Sequence, residues 1–393
     1  MKCSRFTTAP SSCARTTRGA TSGAATPSRK KGDVARAIEE YTSATQFDPQ
    51  NRSAFVSRGI LYANNGDQDR AIQDFDQATR LNPNHALAFA WRGALYRQKG
   101  DIDRSIRDLD EALRINPNDY LSFYHRGRDH DDKSDYDRAI RDYDEAARLN
   151  PTSYLTFLSR GIAYQRKDDF AQAARDYEEA IKLKPDDGLI YLHRGYALAA
   201  LGELDRAITD YDQAAKLSPA EPLAFFHRAN AYRDKGEYDR AIADYTEAMR
   251  LAPGNATHFA YRGLAYTGQG DAERALADYA QALRLDPKLG LAFCGRAVTH
   301  SNSGNYDLAI ADYDAALRLK PDWGRAARWP RDRENQEGRC RGRQGGCRQG
   351  DRHRCGCRPR LCRPGWPTVA RMHARCGTVP QQSSAGVFPM PAR

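Results

Sequence analysis

Nine prolines, Pro49, Pro83, Pro117, Pro151, Pro185, Pro219, Pro253, Pro287 and Pro321, follow one another at intervals of 34 residues without insertion. A fixed period of this length means one supersecondary unit copied along the chain. Each copy must stack on its neighbours, because one unit alone cannot bury its apolar face. A single compact core with a unique set of elements is thereby excluded for the middle of the chain.

Other residue types keep the same beat. An aromatic series runs Phe55, Phe89, Phe123, Phe157, Tyr191, Phe225, Phe259, Phe293. Three residues after each comes Arg, from Arg58 to Arg296, and then a small residue: Gly59, Gly93, Gly127, Gly161, Gly195, Ala229, Gly263, Ala297. Later in the period Ala71, Phe75 and Ala78 recur, for example as Ala207, Tyr211 and Ala214. Phe55, Gly59 and Tyr62 fall at i, i+4, i+7, and so do Ala71, Phe75 and Ala78, so each period predicts two amphipathic helices. Gly66-Asp67 breaks the chain between them and supplies an N-cap. Pro83 ends the second helix, and Asn84 is the expected cap of the next. The small residues leave room for neighbouring helices, so enlarging one should overpack the joint by roughly 1–3 kcal/mol.

This aromatic–Gly–Tyr…Ala–aromatic–Ala…Pro pattern resembles the tetratricopeptide repeat. Eight full repeats are expected at 52–85, 86–119, 120–153, 154–187, 188–221, 222–255, 256–289 and 290–323, after an orphan helix at 33–48. The resemblance implies an all-α, right-handed superhelical solenoid of stacked helix-turn-helix units over 31–323. It also implies that first helices line a concave groove holding a partner protein's peptide or helix, and that the chain is a scaffold or adaptor with no cofactor. One departure recurs. The family usually has Leu before the Gly, where this chain has Arg, and every repeat has Asp before the second-helix aromatic position (Asp74, Asp108, Asp142, Asp176, Asp210, Asp244, Asp278, Asp312). Arg58 is expected to pair with Asp74, and so on along the array; the competing reading leaves both as solvated surface charges.

The groove residues expected from this frame are Trp91, Tyr124, His125, Arg128, His193, Tyr196, Phe226, His227, Asn230 and Tyr261. Aromatics and Arg dominate binding hot spots, although several of these side chains could instead fill joints between repeats. The Lys/Asn/Lys/Arg clamp of chaperone-tail binders is absent: around Asn230 its slots hold Phe226, Tyr261, Leu291 and Gly295. The Asn ladder of glycosyltransferase repeats is absent too, its slots being Ser57, Trp91, His125, Ser159, His193, His227, Tyr261 and Gly295. His193 and His227 lie one repeat apart, and helices roughly 8–10 Å apart are too distant for shared metal coordination. Structural or contact roles are expected for them.

Charge and cysteine set the ends apart. Residues 1–32 carry seven Lys or Arg and no acid, residues 324–393 carry sixteen Arg and four acids, and the body between has a net charge of −9. Of nine cysteines only Cys294 lies in the body. That usage fits a reducing compartment, and with no signal-peptide core and no apolar span it predicts a cytoplasmic protein without a membrane span. No G-x-x-x-x-G-K-[ST], G-x-S-x-G or H-E-x-x-H occurs, and the acids recur with the repeat, so no enzyme is expected. Residues 1–30 and 324–393 are expected to be disordered, and their abrupt junctions with the pattern suggest translation in a wrong frame. The alternative function is a nucleic-acid-associated adaptor binding through the Arg-rich tail. Cys347, Cys355, Cys357 and Cys362 match no zinc spacing. A last repeat without a polar capping helix offers a surface for self-association.

Overall fold

The computed structural model describes residues 31–319, which form helices and no strand. The basic segments 1–30 and 324–393, with the disorder and nucleic-acid binding expected of them, lie outside the described residues. The described residues fall into two compact units meeting in sequence at Lys133 and Ser134. The first holds α1 (Lys31–Phe47), α2 (Arg52–Asn64), α3 (Gln68–Leu81), α4 (Ala86–Gln98), α5 (Ile102–Ile115) and α6 (Tyr120–Asp132). The second holds α7 (Tyr136–Leu149), α8 (Tyr154–Arg166), α9 (Phe170–Leu183), α10 (Gly188–Ala200), α11 (Leu204–Leu217), α12 (Pro222–Asp234), α13 (Tyr238–Leu251), α14 (Ala256–Gln269), α15 (Ala272–Leu285), α16 (Gly290–Asn302) and α17 (Tyr306–Leu319). Within each unit, successive helices pack on one another, first helix on second and second on the next first.

The two-helix period has local causes. An aspartate before the second helix caps it in five repeats: the Asp67 carboxylate accepts from the Arg70 amide, and Asp101, Asp135, Asp169 and Asp271 repeat the arrangement, while Glu203 and Glu237 make no such bond. The turn before the cap needs a left-handed residue, with φ of 82° at Gly66 and 90° at Gly270. Asp168 occupies that place in repeat four at φ 60°, and Ser134 in repeat three at 61°. The first-helix cap differs from expectation by one residue. His85, not Asn84, caps α4, its Nδ1 accepting from the Ala88 amide at 3.2 Å, while Asn82 Oδ1 takes the Asn84 amide.

Packing inside a repeat depends on the small residue of the first helix. A Cβ on Gly161 would lie 2.6 Å from the Tyr177 ring, on Gly195 2.7 Å from Tyr211, and on Gly263 2.8 Å from Tyr279. Those tyrosines are fully buried. The core is accordingly a series of small clusters, each built from adjacent helices.

Beside each aromatic sits the expected ion pair. Arg58 donates Nε and Nη2 to the two oxygens of Asp74 at 2.9 and 2.7 Å. Arg92–Asp108, Arg160–Asp176, Arg194–Asp210, Arg228–Asp244, Arg262–Asp278 and Arg296–Asp312 are also bidentate. Arg126 and Asp142 are divided between the two units. The carboxylates are nearly buried, 8% exposed at Asp176 against 19% for Arg160, so the solvated-charge reading fails. The third guanidinium nitrogen does something the period alone did not suggest. Nη1 of Arg92, Arg126, Arg160 and Arg228 reaches back to Asp76, Asp110, Asp144 and Asp212 of the preceding repeat, at 2.6–2.7 Å. One arginine thus ties its own second helix to the previous one.

Two outcomes are expected in denaturant unfolding. Asp176→Ala leaves Nε and Nη2 of Arg160 without an acceptor in a site largely closed to water, with only Nη1 still held by Asp144, and should cost about 2–4 kcal/mol; an unchanged midpoint would refute a structural role for the pair. Asp168→Gly removes the left-handed strain of a non-glycine residue and should stabilise by up to about 1 kcal/mol, while Gly202→Asp should do the opposite.

Candidate functional site

The ten side chains expected in the groove divide between the units. Trp91, Tyr124, His125 and Arg128 belong to the first, on α4 and α6. Trp91 stacks on Phe75 of the preceding repeat, with ring centroids 6.3 Å apart and planes at 17°. The Tyr124 and His125 rings meet edge to face at 5.5 Å, and the Arg128 guanidinium lies 5.9 Å from the Tyr124 ring centre. Burial drops the His125 pKa to about 4.

The other six lie in the second unit on α10, α12 and α14. His193 is 3% exposed and stacks on Tyr177 of the preceding repeat at 5.4 Å. It fills the joint, contrary to the expectation of a groove contact, because this first-helix slot points at the previous second-helix aromatic. His227 over Tyr211 (5.9 Å, 20°) and Tyr261 beside Tyr245 (6.3 Å) occupy the same slot but remain half-buried. Gly295, in that slot of repeat eight, lets the Tyr279 ring approach: a Cβ there would lie 2.5 Å from it.

What remains accessible is a continuous aromatic run. Phe170 meets Tyr196 at 6.1 Å, Tyr196 meets His227 at 5.8 Å, His227 meets Phe226 at 5.5 Å, and Phe226 meets Tyr261 at 5.1 Å, all edge to face. Every ring in the run is half-buried. Asn230 and Arg233 lie alongside. Tyr245 Oη donates to Asn230 Oδ1 at 2.6 Å, and Arg233 donates to the same oxygen and to Asp234. The Arg233 guanidinium also sits 5.2 Å from the Tyr261 ring centre. Arg233 is 7% exposed, and it holds both Asn230 and Tyr261 in place.

Sequence reasoning missed Phe170 and Arg233. It also missed a leucine series at the start of the first helices. Leu87 and Leu121 are about half exposed in the first unit, and Leu155, Leu189 and Leu223 are half-buried in the second. The signal was present, since these leucines also keep the 34-residue spacing. Among the described residues no group of three or more His, Cys, Asp or Glu converges as metal ligands, and no helix is long and apolar enough to cross a membrane.

Burial holds the His227 pKa down to about 4, with nearby His258 contributing in the same direction. The unfolded chain takes up that proton near pH 6.5, so the stability contributed by neutral His227 is complete above about 6.5 and is lost as pH falls towards 4. Between pH 7 and pH 5 the denaturation midpoint of the wild type should therefore fall more than that of His227→Phe. Equal losses would show that His227 is not desolvated.

Family models agree with this architecture along the chain. A tetratricopeptide repeat model matches residues 28–78, 56–120 and 158–222, a second repeat model of the kind matches 229–270, and a third matches 262–289 and 292–322. No curated protein matches the sequence. Similar solved structures include YrrB, described as a TPR protein with an unusual peptide-binding site, at 21% identity over 50% of this chain and 97% of that one, TM-score 0.43. The APC/C hetero-tetramer Cut9-Hcn1 is similar at 15% identity over 73% of this chain, which spans 56% of that chain, TM-score 0.47. A tetratricopeptide repeat protein from Parabacteroides merdae is similar at 18% identity over 64% and 99%, TM-score 0.46. With helix pairs at a 34-residue period, the small-residue and aromatic contacts inside each pair, and repeat models matching along its length, this chain belongs to the tetratricopeptide repeat family.

Proposed function

We propose that the protein is an interaction scaffold whose second unit binds a segment of a partner protein along the first-helix face of α10, α12 and α14. It acts by binding and needs no cofactor. The observation carrying this reading is the half-buried aromatic run from Phe170 through Tyr196, His227 and Phe226 to Tyr261. Large rings held at partial exposure present apolar area at little entropic cost, and they are the residue types on which binding energy concentrates. Their position also favours the reading. The second helices carry most of the charge, in pairs such as Arg148–Glu145 and Arg250–Glu247. The face around Tyr196, Phe226 and Tyr261 carries Leu189, Leu223, Asn230 and the buried Arg233 instead. A partner segment with apolar anchors and a few polar groups for Asn230 suits it.

Panning the full chain against a displayed random-peptide library tests this. Selected peptides should bind the wild type and lose roughly tenfold to thirtyfold in affinity with Tyr196→Ala or Asn230→Ala, a loss of hot-spot size. Arg141→Ala, on an exposed second-helix face, should leave affinity unchanged. Selected peptides that bind all three variants equally would place the binding surface elsewhere.

A further inference from the structure

Two kinds of polar rung tie successive repeats together, and both are missing where repeat four meets repeat five. The first rung is the back-reaching arginine: Arg92 to Asp76, Arg126 to Asp110, Arg160 to Asp144 and Arg228 to Asp212. Arg262 makes a neutral version with Thr246 Oγ1 at 3.0 Å. The second rung runs along the edge where first helices turn into second helices. There Lys99 reaches Asp69, Lys133 reaches Asp103, Lys167 reaches Asp137 and Lys235 reaches Asp205, each at 2.5–2.7 Å and 30 residues apart. Gln269 to Asp239 continues the series at 2.6 Å.

At the joint between repeats four (154–187) and five (188–221) the first rung would run from Arg194 to residue 178. That residue is Glu178, one methylene longer than the Asp found at the four bridged positions. Its carboxylate lies 3.9 Å from Lys182 on its own helix; Arg194 hydrogen-bonds Asp210 alone, and Glu178 acts on it only as a nearby charge. The second rung would run from residue 201 to residue 171. These are Leu201, 43% exposed, and Ala171, with no charge on either side. Both substitutions fall at one joint, which carries ring contacts such as Tyr177 on His193 and Phe170 against Tyr196. The joint between repeats seven and eight also lacks both rungs, having Ala280 opposite Arg296 and Ser303 opposite Glu273. There, however, the first helices meet directly: Thr267 Oγ1 and Thr299 Oγ1 share a hydrogen bond at 2.8 Å, and Gly295 admits the Tyr279 ring.

We infer that the joint between α9 and α10 is a built-in hinge, the place where the second unit opens first and where the face bearing Tyr196 can turn relative to α8. Without hydrogen-bonded rungs on its two edges this joint has less to fix its angle than its neighbours, where both rungs are made. The inference does not depend on the aromatic face binding a partner, since the rungs lie on other edges of the helices.

Hydrogen exchange on the full chain tests it. Backbone amides of α9 and α10 should exchange roughly threefold to tenfold faster than those of α11 and α12, the effect expected from two exposed ion pairs. Grafting both rungs with Glu178→Asp, Ala171→Asp and Leu201→Lys should remove the difference. Removing them from the next joint with Asp212→Ala and Lys235→Leu should create a second fast site between α11 and α12. Uniform exchange across α8 to α13 in the wild type would overturn the inference. So would a grafted protein that still opens first at α9 and α10 while its unfolding midpoint rises.

Discussion

The structure hinges on a carboxylate that cannot be left alone. Each second helix buries an aspartate next to its core aromatic, in Asp176 beside Tyr177 and Asp244 beside Tyr245. An unpaired carboxylate there would be costly to desolvate, so the first helix must deliver a guanidinium to it. The planar fork of arginine satisfies both oxygens and still has a nitrogen free, and that nitrogen makes the bond to the preceding repeat. Lysine could neutralise the charge but could not hold both oxygens and the neighbour at once. The ion pair therefore does more than balance a charge: it fixes the two helices of a repeat and the register between repeats with one side chain.

The glycine of the first helix and the arginine before it form one device. Glycine lets the aromatic of the second helix approach closely, which brings the neighbouring aspartate within reach of the arginine. In repeats six and eight alanine takes that place, and the pairs Arg228–Asp244 and Arg296–Asp312 still form, so a methyl group is within tolerance. The same aromatic serves on its other side as the platform for the following repeat, as Tyr211 does for His227 and Phe75 for Trp91.

Most of this architecture was legible because a period converts sequence into geometry. Helix limits, the Gly-Asp turn and the pairing of Arg58 with Asp74 all follow from residues that recur at constant spacing. The bond from Arg92 to Asp76 was not legible, although Asp76, Asp110, Asp144 and Asp212 also keep the 34-residue spacing. Which recurrent residues face each other across a joint depends on the angle between repeats, and a period does not state that angle. The same gap explains His193. Its slot is shared with Tyr261, yet its ring is enclosed while the tyrosine's remains half-buried, so the slot alone does not decide exposure. Arg233 escaped notice for a different reason: only Arg97 shares its place in the period, the other repeats having Ala63, Asp131, Gln165, Ala199, Thr267 and Ser301 there, and a periodic reading discounts what recurs so rarely.

What does not recur is where function can enter a repeat array. Residues serving the stack are held to the period by the neighbours they must fit, and a residue that breaks the period is free of that demand. Leu201 and Ala171 break it together, as do Glu178 and the unbridged side of Arg194, all at one joint. Two edges lose their rungs between the same pair of repeats, as they do again between repeats seven and eight, where a threonine bond between first helices takes their place. The aromatic run crosses that joint at Phe170 and Tyr196. A surface made of rings can slide through small changes of angle while staying in contact, because apolar burial has no preferred direction, whereas the hydrogen bonds of an ion pair need a fixed geometry. The soft joint and the aromatic face thus suit each other: one permits the change of angle, and the other keeps its continuity through it.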